Sequence, residues 1–190
     1  LSVETCTEED DVLLTANSGQ CIRFPVTDVR VFAGRNSVGV RGMSMADTDR
    51  AISMTILGHV EADAAERSAY LKRSVAERKL VTGEDEEIAL TNEDVGEEPV
   101  LSDERYAYLK EREQFVLTVT EFGYGKRSSS YDFRLTGRGG KGIRATDLSK
   151  TGEIGQLVAA FPVTAVDEIM LVTDGGQVIR VPVEVSGRSD

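Results

Sequence analysis

Cationic side chains set among glycines are the groups in this sequence best placed to do chemistry, and the chemistry they suit is the holding of phosphate. One such segment reads Gly34-Arg35-Asn36-Ser37-Val38-Gly39-Val40-Arg41, and the other reads Gly137-Arg138-Gly139-Gly140-Lys141-Gly142-Ile143-Arg144. Glycine lets the main chain come close to an anion while arginine and lysine supply the charge. The candidate contacts are Arg35, Arg41, Arg138, Lys141 and Arg144, with Lys126 and Arg127 flanking them. A nucleotide P-loop would need Gly-Lys-[Ser/Thr] to place a hydroxyl on magnesium, whereas Lys141 is followed by Gly142. A dinucleotide fingerprint needs a strand, a helix and a distal acid, and Ile143-Arg144-Ala145-Thr146 opens no convincing amphipathic helix. Two uses remain: sequence-neutral attachment to DNA phosphates, or glycines that shape a crossing between sheets with arginines bracing it.

Both segments belong to a larger repeat. Gly-x-x-x-Arg followed by Gly-Arg-x-x-x-Gly-[Val/Ile]-Arg occurs in full at Gly19 and Gly34, again at Gly123 and Gly137, and begins a third time at Gly176 and Gly187. The interval from Gly123 to Gly176 is 53 residues and that from Gly19 to Gly123 is 104, so about 50 residues are inserted in the first. Such a period is near that of four-stranded propeller blades, about 40–50 residues, whose small sheets bury their apolar faces by stacking on one another. The expected fold is all-β, an array of propeller-like blades carrying a small helical insertion. Its divisions fall at 1–58, the end of one blade plus the first complete repeat; 59–113, the insertion; 114–166, the second repeat; and 167–190, a truncated third. Each unit reads as a hairpin, with turns at Gly19 and Gly176, then a glycine-rich loop, then closing strands such as 51–57 and 155–161. The start at Leu1 and the interrupted third unit suggest a fragment of a longer protein.

A net charge of -11 argues against nucleic acid until it is divided along the chain. Residues 59–113 hold 16 acidic and 8 basic side chains, and the repeats hold 17 and 14. Screening confines each field to about 10 Å, so local clusters attract phosphate despite the total. No apolar run approaches a membrane span and no signal segment opens the chain, which points to a cytoplasmic protein without a membrane partner. Cys6 and Cys21 read as reduced, half-buried strand residues, and the lone His59 as a surface residue at the edge of the insertion. Neither a Ser, His and Asp set nor a metal-ligand cluster is evident, so no catalytic residue, metal site or cofactor is assigned to these 190 residues.

The insertion follows helical rather than strand logic. Asp63 with Glu66 makes a box-like helix start, Leu71 and Val75 share a face, and Ser102 caps a second helix in which Tyr106 and Leu109 lie together. Residues 81–100 carry eight acidic and no basic side chains, the pattern of a mobile linker. The insertion is either a tolerated surface excursion or a regulatory and partner-binding element that mimics or covers the DNA site.

The segment Thr136-Gly137-Arg138-Gly139-Gly140-Lys141-Gly142 resembles a degenerate gyrase-A box, Gln-Arg-Arg-Gly-Gly-Lys/Arg-Gly, with Thr136 and Gly137 in place of the glutamine and the first arginine. The text around it, including Gly34-Arg35-Asn36-Ser37-Val38-Gly39-Val40 and Ile169-Met170-Leu171-Val172-Thr173-Asp174-Gly175-Gly176, is similar to the repeats of the carboxy-terminal domain of bacterial DNA gyrase A, and the insertion resembles its alphaproteobacterial branch. The resemblance implies a β-pinwheel with strands exchanged between neighbouring blades. It also implies double-stranded DNA, wrapped without regard to sequence around a basic rim, as the partner. In that family the wrap supports negative supercoiling by a holoenzyme that uses ATP and magnesium through other domains, with gyrase B and the rest of gyrase A as partners. The degenerate box implies later blades of the array. Two other readings stay open, a blade fragment of the gyrase-A-like polypeptide of topoisomerase IV and a propeller-like protein-interaction scaffold.

Overall fold

Alternating apolar side chains flanked by tight glycine turns organise the described residues into three small antiparallel sheets. The computed structural model describes residues 2–34, 36–82, 101–148 and 151–183. In the first repeat, β1 (Asp10–Ala16) pairs with β2 (Gln20–Pro25) through a turn in which Gly19 has φ 82°, and on its other side with β3 (Ala51–Gly58). In the second, β4 (Phe115–Thr120) pairs with β5 (Gly125–Ser129) through Gly123 at φ 85°. Residues 143–144 form the short strand β6, and β7 (Leu157–Val163) follows a single helical turn. The third repeat contributes the hairpin β8 (Glu168–Val172) and β9 (Val178–Pro182). The register slips at Thr15/Ala16 against β3 and again at Val119/Thr120 against β7, so the two full repeats share even their irregularity.

Strand order shows how the repeats are joined. The first sheet runs β3-β1-β2-β6 and the second runs β5-β4-β7. Thus β6, from the second repeat, is the outer strand of the first sheet, with Ile143 opposite Cys21 and Arg144 opposite Gln20. This is the strand exchange expected of a β-pinwheel. Gly142 enforces it: φ is 75°, and a Cβ there would lie 2.0 Å from the Cys21 carbonyl oxygen. No residue with a side chain fits so close to backbone at that φ.

The sheets stack face to face. Leu13, Cys21 and Leu57 of the first meet Val116 and Ala160 of the second, with Phe133 and Ala145 from the second repeat's connecting segments packed among them, while Leu117, Val119 and Val163 meet Ile169 and Leu171 of the third. Complete burial of a Leu or Val side chain is worth about 1.5–3 kcal/mol, so these interfaces supply much of the cohesion that each sheet lacks alone. The cysteines separate: Cys21 is buried in the strand, with burial pushing its thiol up to about 12, whereas Cys6 is exposed and lies outside any strand, contrary to the reading of it as half-buried.

Among the described residues, the insertion folds as two helices. In α1 (Ala64–Thr82) the Asp63 carboxylate accepts from the Glu66 amide at 2.8 Å, and in α2 (Asp103–Arg112) the Ser102 hydroxyl accepts from the Arg105 amide at 3.2 Å. At nineteen residues α1 is the longer of the two. The acidic stretch read as a linker lies, from residue 83 to 100, outside the described residues. Tyr70, Leu71, Tyr106 and Leu109 close against Tyr131 of the second repeat. Each buried tyrosine hydroxyl finds an acceptor: Tyr70 on Glu113 Oε2, Tyr106 on Glu77 Oε2 and Tyr131 on the Leu109 carbonyl, all at 2.8 Å. Among the described residues no helix is long and apolar enough to cross a membrane.

Candidate nucleic-acid interface

The outer edge of the first sheet is where the two cationic segments come together. Residues 135–144 of the second repeat travel along β2: Leu135 bridges Arg23, the Thr136 amide donates to the Arg23 carbonyl at 2.8 Å, and β6 completes the pairing. Between those anchors the Gly139 amide donates to the Gly42 carbonyl and the Ser44 amide to the Gly140 carbonyl, each at 2.8 Å, tying this segment to the loop of the first repeat. Arg138 makes the same junction with its side chain. Its Nε donates to the Asp28 carbonyl at 3.1 Å and its Nη1 to the Arg41 carbonyl at 2.6 Å. Two repeats therefore build one edge, which carries Arg41 from the first and Arg138 and Lys141 from the second.

Placement of the individual candidates differs. Arg41 and Lys141 are exposed, and the half-buried Arg138 spends two of its donors on main chain, which orients the loop while leaving a positive charge on it. Arg144 is exposed at the far end of the same edge, with Asp147 Oδ1 3.4 Å from its Nη1. Lys126 and Arg127 sit elsewhere, half-buried on β5 of the second sheet. The Arg127 guanidinium covers the Phe115 ring at 4.8 Å, and the Lys126 charge acts on Asp132, whose carboxyl burial nonetheless pushes up to about 6. Arg35 lies outside the described residues.

Arg23 has the arrangement that sequence reasoning missed. It is 4% exposed; its Nε and Nη2 reach Asp11 Oδ2 at 2.9 and 2.7 Å, and Nη2 also donates to the Gly58 carbonyl at 3.1 Å. Its Nη1 crosses to the second repeat, donating to the carbonyls of Ser130 at 2.7 Å and Phe133 at 3.4 Å. The arginine of Gly-x-x-x-Arg thus has a structural task, and its partner recurs: Arg23 opposes Leu13 and reaches back to Asp11, Arg127 opposes Leu117 and covers Phe115, and Arg180 opposes Met170 and pairs with Glu168. An acid two residues before the cross-strand neighbour was the available signal in the first and third repeats. His59, read as a surface residue, is partly exposed and places Nδ1 2.9 Å from Asp11 Oδ1.

Exposed cations stand here on a backbone of extended strand and glycine. Among the described residues no group of three or more His, Cys, Asp or Glu side chains is placed to hold a metal ion. Such an edge suits a long polyanion whose phosphates recur along it.

Comparison with known proteins agrees with the fold and the repeat. The family described as DNA gyrase C-terminal domain, beta-propeller, matches residues 10–57, 114–164 and 167–185, leaving out the helical insertion. The DNA gyrase A protein of Granulibacter bethesdensis is 48% identical over 201 residues, covering 100% of this chain and 21% of that protein. The Rickettsia bellii DNA gyrase A protein is 42% identical over 193 residues, covering 100% and 20%. The chain therefore spans about a fifth of the length of these relatives. Among solved structures, a DNA gyrase A C-terminal domain aligns with TM-score 0.54 at 19% identity, over 94% of this chain and 39% of the other. The C-terminal domain of a DNA topoisomerase IV aligns with TM-score 0.59 at 14% identity, over 96% and 40%. The backbone alone fits both enzymes' domains, so the sequence identities with gyrase A decide between them. With its three repeats matched and its exchanged strand in place, the chain belongs to the DNA gyrase C-terminal β-propeller family.

Proposed function

We propose that the chain is a non-catalytic DNA-wrapping module of gyrase A, and the observation that carries this reading is the composite cationic edge of Arg41, Arg138 and Lys141, with Arg144 continuing it. A duplex laid across that edge meets cations from two successive repeats, held at fixed spacing by main-chain hydrogen bonds. The glycine-rich loop keeps bulky side chains away, so phosphates approach the backbone and base sequence is not read. Bending tens of base pairs costs about 1–6 kcal/mol, which many distributed phosphate contacts offset together and few could offset alone.

In the whole enzyme the wrap delivers a DNA segment to the strand-passage machinery, where ATP and magnesium are used in other domains and gyrase B is the partner. The setting is the bacterial cytoplasm. This chain supplies shape and charge to that cycle and no reacting group.

A salt titration tests the reading. For Arg41→Ala together with Lys141→Ala, loss of two phosphate contacts is expected to lower the slope of log K against log salt by about 2. An unchanged slope with the same affinity overturns the assignment of this edge.

A further inference from the structure

The helical insertion sits at the joint between the first and second repeats, and its attachments are those of a brace. It leaves the first sheet after Gly58 and rejoins the second at Gln114, and these two ends are bonded to each other, with the Gly58 amide donating to Gln114 Oε1 at 2.7 Å. The Ser130 amide donates to the Gln114 carbonyl at 2.7 Å. Ser130 opens a 3-10 turn, Ser130–Asp132, and residues 135–144 that follow it carry the cationic loop.

That turn is gripped from two sides. On one, Arg23 of the first repeat donates to the carbonyls of Ser130 and Phe133 while Asp11 holds its guanidinium and His59, at the head of the insertion, meets the other Asp11 oxygen. On the other, Tyr131 donates to the Leu109 carbonyl, Arg67 Nη1 donates to the Tyr131 carbonyl at 3.3 Å, and the Tyr131 ring stands edge-on to Tyr70 with centroids 5.0 Å apart. The corresponding turn of the first repeat, Val26–Asp28, buries none of its residues. A tolerated surface excursion would not place its fully buried Tyr70 and Leu109 on the single turn that feeds the exchanged strand.

We propose that the insertion is a splint across the joint between the first two repeats, fixing the angle at which the second repeat's cationic loop meets the first sheet. Resting on the DNA-wrapping reading, it sets how sharply a bound duplex bends. The seam contacts involve none of Arg41, Arg138 and Lys141, so phosphate attachment at each point is left to those cations. Freed of the splint, the two repeats swing relative to one another and their cations no longer define one curve.

The experiment uses the full 190-residue chain. Cys6→Ser, Thr48→Cys and Phe122→Cys place one spin label at an exposed position on each repeat, and the buried Cys21 thiol stays unlabelled. Pulsed electron resonance without DNA then compares the parent, a variant with residues 60–112 replaced by a short Gly-Ser link, and Tyr131→Phe, which removes one hydroxyl and keeps the ring. Opening a hinge should broaden the distance distribution by about twofold or more in the deletion and less in Tyr131→Phe. Equal widths in all three overturn the splint. If the deletion variant does not fold, Tyr131→Phe decides the question by the same comparison. In the second arm, end-to-end fluorescence transfer on a short duplex should report a weaker bend in the deletion, with affinity at one salt concentration changed by less than about threefold. An unchanged bend overturns the proposal, and so does tighter binding after deletion, which would make the insertion a mask. A parent chain that fails to bind duplex refutes the wrapping reading, while the label distances still decide the splint.

Discussion

Replacing Arg23 with methionine keeps an unbranched apolar stem and removes the guanidinium that joins the first two repeats. The change strands the Asp11 carboxylate, which is 0% exposed, with His59 as its remaining side-chain partner among the described residues. It also takes a donor from the carbonyls of Gly58, Ser130 and Phe133. Breaking a buried pair from one side costs about 3–5 kcal/mol, because the charge left behind stays dry. The three carbonyls add less than their number implies, since carbonyl oxygens with an unused lone pair are tolerated better than orphaned N–H groups. A loss of about 4 kcal/mol is therefore expected from a total of about 5–15 kcal/mol. In urea, with a slope of about 2–3 kcal/mol/M, the unfolding midpoint should fall by about 1.3–2 M. Asp11→Leu added to Arg23→Met removes the stranded charge and should recover part of the loss, because two apolar side chains can replace a buried pair. A single-mutant loss under about 1 kcal/mol, the range of exposed ion pairs, would refute the reasoning. So would a double mutant worse than the sum of the two single changes.

Gly142→Ala should cost about 2–4 kcal/mol and weaken DNA binding with it, since its Cβ meets the Cys21 carbonyl, whereas Gly39→Ala at the matching position of the first repeat has open space and should stay within about 0.5 kcal/mol by thermal or urea unfolding. Arg138→Ala should lower both stability, by about 1–2 kcal/mol, and DNA affinity, whereas Lys141→Ala should lower affinity alone; equal stability losses would contradict the distinct roles of the two residues. Asp132 holds its proton more tightly folded than unfolded because burial raises its carboxyl to about 6, so its contribution is most favourable below about pH 4, declines as pH rises through 6, and is level above. Asp132→Asn should thus gain about 2–3 kcal/mol over the parent at pH 7.5 and almost nothing at pH 4, and a gain independent of pH would disprove the assignment.

Features decided within a few residues are legible in the sequence. Gly19 and Gly176 adopt the positive φ that their hairpin turns require, and Asp63 and Ser102 cap the helices that their positions predict. Strand positions follow from alternation, with β7 beginning at Leu157 rather than 155 because Gly155, at φ 77°, still turns the chain out of the preceding helical turn. The exchange of β6 is legible only through family resemblance, since two residues, Ile143 and Arg144, carry no periodicity of their own. Arg23 reads as one more exposed cation because a charged residue in a strand ordinarily faces water, and only the position of Asp11 one strand away says otherwise. Of the cationic candidates, Arg41, Arg138 and Lys141 are brought together by hydrogen bonds to carbonyls of the first repeat, a pairing of distant main-chain groups that side-chain spacing does not encode.

Because β6 closes the sheet of its predecessor, the stretch of chain that repeats and the stretch that makes a sheet are offset from one another. Removal of a single sequence unit by recombination would take a border strand from one sheet along with the body of the next. Gain or loss of blades is then tolerated when the cut falls at matching points of two units, so that each donor strand inherits an equivalent acceptor. Family members differing in blade number should accordingly have their junctions near the turn preceding the glycine segment, at positions corresponding to 133–136, where the chain leaves one sheet for another.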